Sequence, residues 1–239
     1  MKKLALMCGL SLVLCSPLVA QSAPELEFSA GGDTAWVPLT QNGSGSWTVS
    51  PDTQVTLNNG ITFTLGSVTV DSDPYVLYSY NVTNNSGSPM TYTASIPAVP
   101  ASLAPGAYTV SSSLGISLTD ASEGNSVSVS PAAGATSIQQ GLIGGNDAGV
   151  DLGTATVTNS VFGSTSTTNY SGGPAVYNLS ASASDISVTE SFELSAGASA
   201  GISGFFNVQA VPEPSSIGLG GLAFGAFALL LVCVRRSRA

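Results

Sequence analysis

Gln54-Val55-Thr56-Leu57-Asn58-Asn59-Gly60-Ile61-Thr62-Phe63-Thr64-Leu65 sets two alternating apolar-polar runs on either side of a turn. Alternation with period two marks a half-buried strand, and Asn-Gly marks a chain reversal. The length of the turn decides the pairing. A two-residue Asn59-Gly60 turn puts Leu57 opposite Thr62 and mixes apolar with polar side chains on each face. A three-residue loop pairs Leu57 with Ile61 and Val55 with Phe63, and gives Gly60 the left-handed conformation that suits it. Only the second register satisfies both pleat and turn.

The same signal recurs along the chain. Val76, Tyr78, Tyr80 and Val82 share one parity, as do Met90, Tyr92, Ala94 and Ile96 beyond Asn84–Pro89. A second hairpin is expected here, pairing Val82 with Met90, Tyr80 with Tyr92 and Val76 with Ile96. Further strands are expected at 107–119, 125–130, 150–159, 175–181, 185–194 and 201–209, the last two joined as a closing hairpin across Ala196-Gly197-Ala198. Residues 97–106 read as a loop crossing between sheets, and 160–175, rich in Ser, Thr, Gly and Asn, as a mobile loop. No helical period and no repeat of solenoid length occurs between the chain ends. The expected fold is all-β, an antiparallel two-sheet β-sandwich with a jelly-roll-like connection as one form of it. No lysine is available to guard sheet edges, so prolines such as Pro38, Pro51 and Pro131 are expected to do so.

Positive charge is confined to the two ends. Lys2 and Lys3 open the chain, Arg235, Arg236 and Arg238 close it, and no Lys, Arg or His lies between. Lys2-Lys3, the apolar run Leu4 to Leu14 and small residues around Ala20 have the three parts of a secretory signal peptide, assigned to 1–23. Ile217 to Val234 is an unbroken run of apolar, glycine and alanine residues that spans about 27 Å as a helix, enough for a bilayer core. The arginines directly after it act as a stop-transfer signal, holding that end in the cytoplasm and the body outside.

Before the span stands Val211-Pro212-Glu213-Pro214-Ser215-Ser216. A Pro-Glu-Pro box, a hydrophobic helix and a basic tail, in that order, resemble the PEP-CTERM sorting signal. The resemblance covers about the last 29 residues. It implies processing by an exosortase, with Pro212, Glu213 and Pro214 as recognition residues, after signal peptidase has acted at the other end. Two prolines keep the box extended, in a form an enzyme cleft can hold at the membrane surface. The expected organisation is thus signal peptide 1–23, β-sandwich body 24–210 and sorting signal 211–239, with box 211–216, transmembrane helix 217–234 and tail 235–239. The expected location runs from an inner-membrane-anchored precursor to the cell surface or extracellular matrix.

Composition narrows the chemistry. Cys8, Cys15 and Cys233 all lie in the terminal segments, leaving the body without thiols. Its thirteen carboxylates meet no cation. Nucleic-acid binding and attachment to anionic lipid both need Lys and Arg, so neither is expected. Without His, Lys or Cys in the body, triad, thiol and zinc chemistries are out of reach. A carboxylate pair of the glycosidase kind is the surviving enzymatic option, and the expectation is a protein that is not an enzyme and needs no cofactor.

Four local features carry alternatives. Asp71-Ser72-Asp73 and Asn146 to Asp151 have the oxygen density of a calcium site but read as turn acids. Glu190 shares the parity of Ile186, Val188, Phe192 and Leu194, so a regular strand points it inward; a β-bulge near Thr189 is expected to turn it out. Trp36 and Trp47 suit either a core or a sugar-stacking platform. Asn42, Asn81, Asn84, Asn169 and Asn178 fit a glycosylation triplet that carries little weight here. Two functions follow: a structural or adhesive surface protein linked to exopolysaccharide or biofilm, or a carbohydrate-binding module using Trp36 and Trp47.

Overall fold

The computed structural model describes residues 23–43, 45–71, 74–121 and 126–212, with backbone alone for 98–101. The expected signal helix, the transmembrane helix, Glu213, Pro214 and the arginines lie outside the described residues. The described chain forms sixteen strands: β1 (Glu25–Ala30), β2 (Asp33–Pro38), β3 (Thr40–Gln41), β4 (Trp47–Val49), β5 (Thr53–Thr56), β6 (Thr62–Asp71), β7 (Tyr75–Thr83), β8 (Met90–Leu103), β9 (Gly106–Asp120), β10 (Val127–Pro131), β11 (Gln139–Ile143), β12 (Asn146–Asp147), β13 (Val157–Asn159), β14 (Thr165–Leu179), β15 (Ala183–Leu194) and β16 (Ala198–Ala210).

They make two antiparallel sheets facing one another. The first runs β12-β11-β15-β8-β1-β2, with β10 on β15 and β13 on β10; the second runs β14-β9-β16-β7-β6-β4-β3, with β5 also on β6. The β5–β6 hairpin has the expected register, Val55 opposite Phe63, closed by the Leu57 N–H donating to the Ile61 carbonyl at 2.8 Å. Gly60 takes φ +85°, where a side chain would be strained.

Parity was legible where partnership was not. Val76, Tyr78, Tyr80 and Val82 all point inward, as do Tyr92, Ala94 and Ile96. Yet β7 pairs with β6 and β16, and β8 with β1 and β15, so the expected second hairpin is not one. The two apolar faces pack across the core instead of side by side. Asn84 explains the crossing. Its side-chain amide, fully buried, donates to the carbonyls of Ser88 and Leu194, both at 2.9 Å, which ties the loop over the end of the sandwich. Its backbone bonds to Gly197 and Ala198 hold the next corner beside it. For that reason the expected closing hairpin also opens out, with β15 in the first sheet and β16 in the second.

Three further expectations are corrected. The crossing expected over 97–106 shrinks to Ala104 and Pro105, because β8 continues to Leu103. Within 150–159 only Val157–Asn159 is a strand, besides a bridge at Leu152. The loop expected at 160–175 is largely β14, which pairs with β9 from Thr165 to Leu179. A polar Ser/Thr/Asn composition suits it because it is an edge strand exposed on much of both faces. Its guard is Pro174, set in a register shift between Gly172 and Ala175, rather than any of the prolines expected in that role.

The core is one continuous apolar layer between the sheets. Phe28, Phe63 and Tyr80 pack with ring centroids 4.7–6.1 Å apart, and Tyr92 stacks on Phe192 at 5.6 Å. Gly141 has a packing reason to lack a side chain: a Cβ there would lie 2.5 Å from the Phe206 ring.

Candidate functional site

Glu190 lies in the middle of this core. β15 is regular at Thr189, opposite Ser95, and its irregularities fall between Ala183 and Asp185 and between Ile186 and Val188. No bulge turns the carboxyl out, and it is fully buried. The reason is a polar clasp between the sheets that the strand parity of one chain segment cannot reveal. From β7, Tyr80 Oη donates to Glu190 Oε2, and Tyr78 Oη lies 2.7 Å from Glu190 Oε1 and 2.5 Å from Gln139 Oε1. Gln139, paired with Glu190 across β11 and β15, donates its amide to Ser112 Oγ of β9 at 2.5 Å. Gly204 leaves the room for the Tyr78 hydroxyl.

Tyr78 has one proton and two acceptors within reach, so one of its contacts must run the other way. Either a protonated Glu190 donates to Tyr78 Oη, or the Gln139 amide is turned about. Burial pushes the Glu190 carboxyl up to about 7, with the bonds from Tyr80 and Tyr78 pulling partly back. Both tyrosines are raised well above their ordinary value by burial and by the carboxylate beside them. The arrangement joins two sheets through hydrogen-bonded polar groups that are fully buried.

Of the other described acids Asp120 is also buried, and the rest are at least partly exposed. Asp71 accepts from Ser46 Oγ at 2.7 Å, Asp147 from the Gly149 N–H at 2.7 Å, and Asp151 from the Gln140 amide at 3.4 Å. Burial, with the Asp147 charge adding to it, raises Asp151 above the usual carboxylate range. Among the described residues no three of His, Cys, Asp and Glu converge as a metal site. The two tryptophans do not form one platform. Trp36 faces outward from β2 in the first sheet, 58% exposed, whereas Trp47 stands on β4 of the second sheet opposite Val70 and packs against the core. Asn84 is buried and closed to modification.

The outer face of the second sheet was not singled out from the sequence. Across β14, β9, β16, β7 and β6 the register aligns Asn169, Gly115, Ser203, Ser79 and Ser67 in one rung. The next rung sets Phe205 beside Leu77. Together they line a groove of about 330 Å³. Its floor is Gly115, where a Cβ would lie 2.9 Å from Ser203 Oγ and 3.1 Å from Asn169 Oδ1.

The sorting box begins where the last strand ends. β16 stops at Ala210, the Val211 N–H donates to the Ala107 carbonyl at 2.9 Å, and Pro212 lines a surface pocket together with Pro105, Gly106 and Tyr108. Residues 210–237 match the family described as the PEP-CTERM protein-sorting motif. This chain carries a PEP-CTERM motif. The motif implies an exported, membrane-anchored precursor of the cell envelope that an exosortase processes. No curated protein matches the chain. Among solved structures, TmCBM61 in complex with beta-1,4-galactotriose is similar at 14% identity and a TM-score of 0.28, over 78% of this chain and 88% of that one.

Proposed function

We propose that the chain is a non-enzymatic surface or matrix protein with a structural or adhesive role among extracellular polysaccharides. Signal peptidase removes 1–23, the span 217–234 holds the body at the outer side of the inner membrane, and Arg235, Arg236 and Arg238 keep the tail inside. An exosortase then reads Pro212, Glu213 and Pro214 and releases body 24–210 from its anchor, much as a removable lipid-anchor tail is exchanged. The observation that carries this reading is the join at Val211. The box follows the last strand without a linker, and the Val211–Ala107 bond ties its start to the sandwich. A cleaved body is then presented as one stiff unit. Glu190, whose carboxyl burial raises to about 7, lies fully buried in the core and serves the fold.

Fractionation of host cells with and without an active exosortase tests the reading. The expected result is protein at the surface or in the matrix when the enzyme is present, and trapped in the inner membrane when it is deleted. Full-length protein in the inner membrane of a strain with active exosortase would overturn it. A second reading, a carbohydrate-binding module, has Trp36 in its favour, since a large aromatic stands open to solvent on an outer face.

A further inference from the structure

The outer faces of the two sheets carry different charge. Glu25, Glu27 and Glu193 stand exposed on the first. On the second, β7, β9, β14 and β16 hold a single charged residue between them, Asp120, and it is buried. A chain with a net charge of −9 has therefore kept the outward positions of these four strands free of charge, and the acid on this face that lies nearest along β6 is Asp71, one rung beyond Phe205 and Leu77. The groove lies in that face.

Its lining has two parts. Phe205, half-buried, and Leu77, 36% exposed, form an apolar shelf. Beside it runs the rung of Asn169, Ser203, Ser79 and Ser67, which offers an amide and three hydroxyls. The Ser67 N–H donates to Ser79 Oγ at 2.9 Å, which fixes that hydroxyl with its proton directed away from the amide. Gly115 keeps the floor open between Ser203 and Asn169. A pyranose ring has the matching shape: a face of C–H groups edged by hydroxyls. The shelf takes the C–H face, and the rung exchanges hydrogen bonds with the hydroxyl edge, as in pockets where apolar walls bind and a few polar groups orient. Anionic glycans are disfavoured by the field of the whole molecule, and the absence of cations leaves nothing to hold them.

We propose that this groove is a binding site for a neutral pyranose polysaccharide. The proposal rests on the reading that the mature protein works among extracellular polysaccharides, and it moves sugar recognition from Trp36 and Trp47 to Phe205 and the Gly115 rung.

The test is electrophoresis of the purified exported protein through native gels containing laminarin, dextran or galactan, with alginate as the charged comparator. At least one neutral polysaccharide should retard the protein and alginate should not. Phe205→Ala should weaken the retardation by about tenfold or more, as loss of a central aromatic contact does. Leu77→Ala should weaken it less, and Val176→Ala, exposed on β14 outside the groove, should leave it unchanged. Each variant is compared at matched melting temperature, and Leu77→Ala carries the test if Phe205→Ala does not fold. The proposal is overturned if no neutral polysaccharide retards the protein, or if only Trp36→Ala abolishes retardation. It is also overturned if the face mediates self-association, seen as concentration-dependent mobility without polysaccharide. A protein that reaches the surface but binds none of these glycans defeats this proposal alone. One that is retarded in the gel yet stays in the inner membrane defeats the export reading alone.

Discussion

Replacing Glu190 by Gln separates the buried carboxyl from everything else that titrates. The group is fully buried between Tyr78, Tyr80 and its strand neighbour Gln139. Burial raises it from 4.5 to about 7. A raised value in the folded state means that the native chain holds this proton where the unfolded chain has released it. Its stabilising contribution is therefore complete below about pH 4.5 and is lost as pH rises through about 7. At about 1.4 kcal/mol for each tenfold ratio in proton affinity, the loss is on the order of 3 kcal/mol. The mutual repulsion of the other carboxylates also lowers stability with rising pH, so the informative quantity is the difference between wild type and Glu190→Gln. Gln has no proton to lose, and its amide can both accept from one tyrosine and donate to the other. Urea unfolding of both proteins from about pH 4 to about pH 8 should give curves that diverge by about 3 kcal/mol, with the variant gaining on the wild type between about pH 4.5 and about pH 7 and running parallel to it above that. Curves parallel over the whole range would refute the assignment of the raised group to Glu190.

Other predictions are independent of this one. Burial raises Tyr92 to about 12, and Tyr78 and Tyr80 are raised well above 10. Folded values above the unfolded value of 10 place their stabilising contribution below that pH, and it is lost as pH rises beyond it; tyrosinate absorbance should show these three ionising only together with unfolding. Gly141→Ala drives a methyl into the Phe206 ring and should cost about 1–3 kcal/mol by chemical denaturation. Asn84→Ala leaves the buried Leu194 carbonyl without its side-chain donor and should cost about 1–3 kcal/mol, with hydrogen exchange faster at the β7–β8 and β15–β16 corners.

The sequence carried face and turn information because both are local. Alternation told which residues of β7, β8, β15 and β16 point inward, and Gly60 settled the β5–β6 register. Neither signal says which strand lies alongside which. The Asn84–Pro89 segment is long enough for a hairpin or for a crossing, and the choice depends on the Asn84 amide reaching Leu194, a contact between residues 110 apart. Glu190 failed for the same kind of reason. Its inward parity was visible, but its partners come from β7 and β11, so the strand alone presented an unpaired acid and a bulge seemed the escape. The groove was hidden more thoroughly: Ser67, Ser79, Gly115, Asn169 and Ser203 are ordinary residues until five strands bring them into one rung. The sorting motif was the easiest to read, since its meaning lies in linear order.

The central claim is that an exported sandwich is cut from its anchor at the box 211–216 that holds Pro212, Glu213 and Pro214. Intact-mass measurement of the protein from surface and matrix fractions tests this most directly, in strains with and without exosortase. The account predicts a product lacking the signal peptide and the 217–239 segment when the enzyme is active, and a product retaining that segment in the inner membrane when it is deleted. A full-length mass from cells with active exosortase, in any fraction, would contradict it.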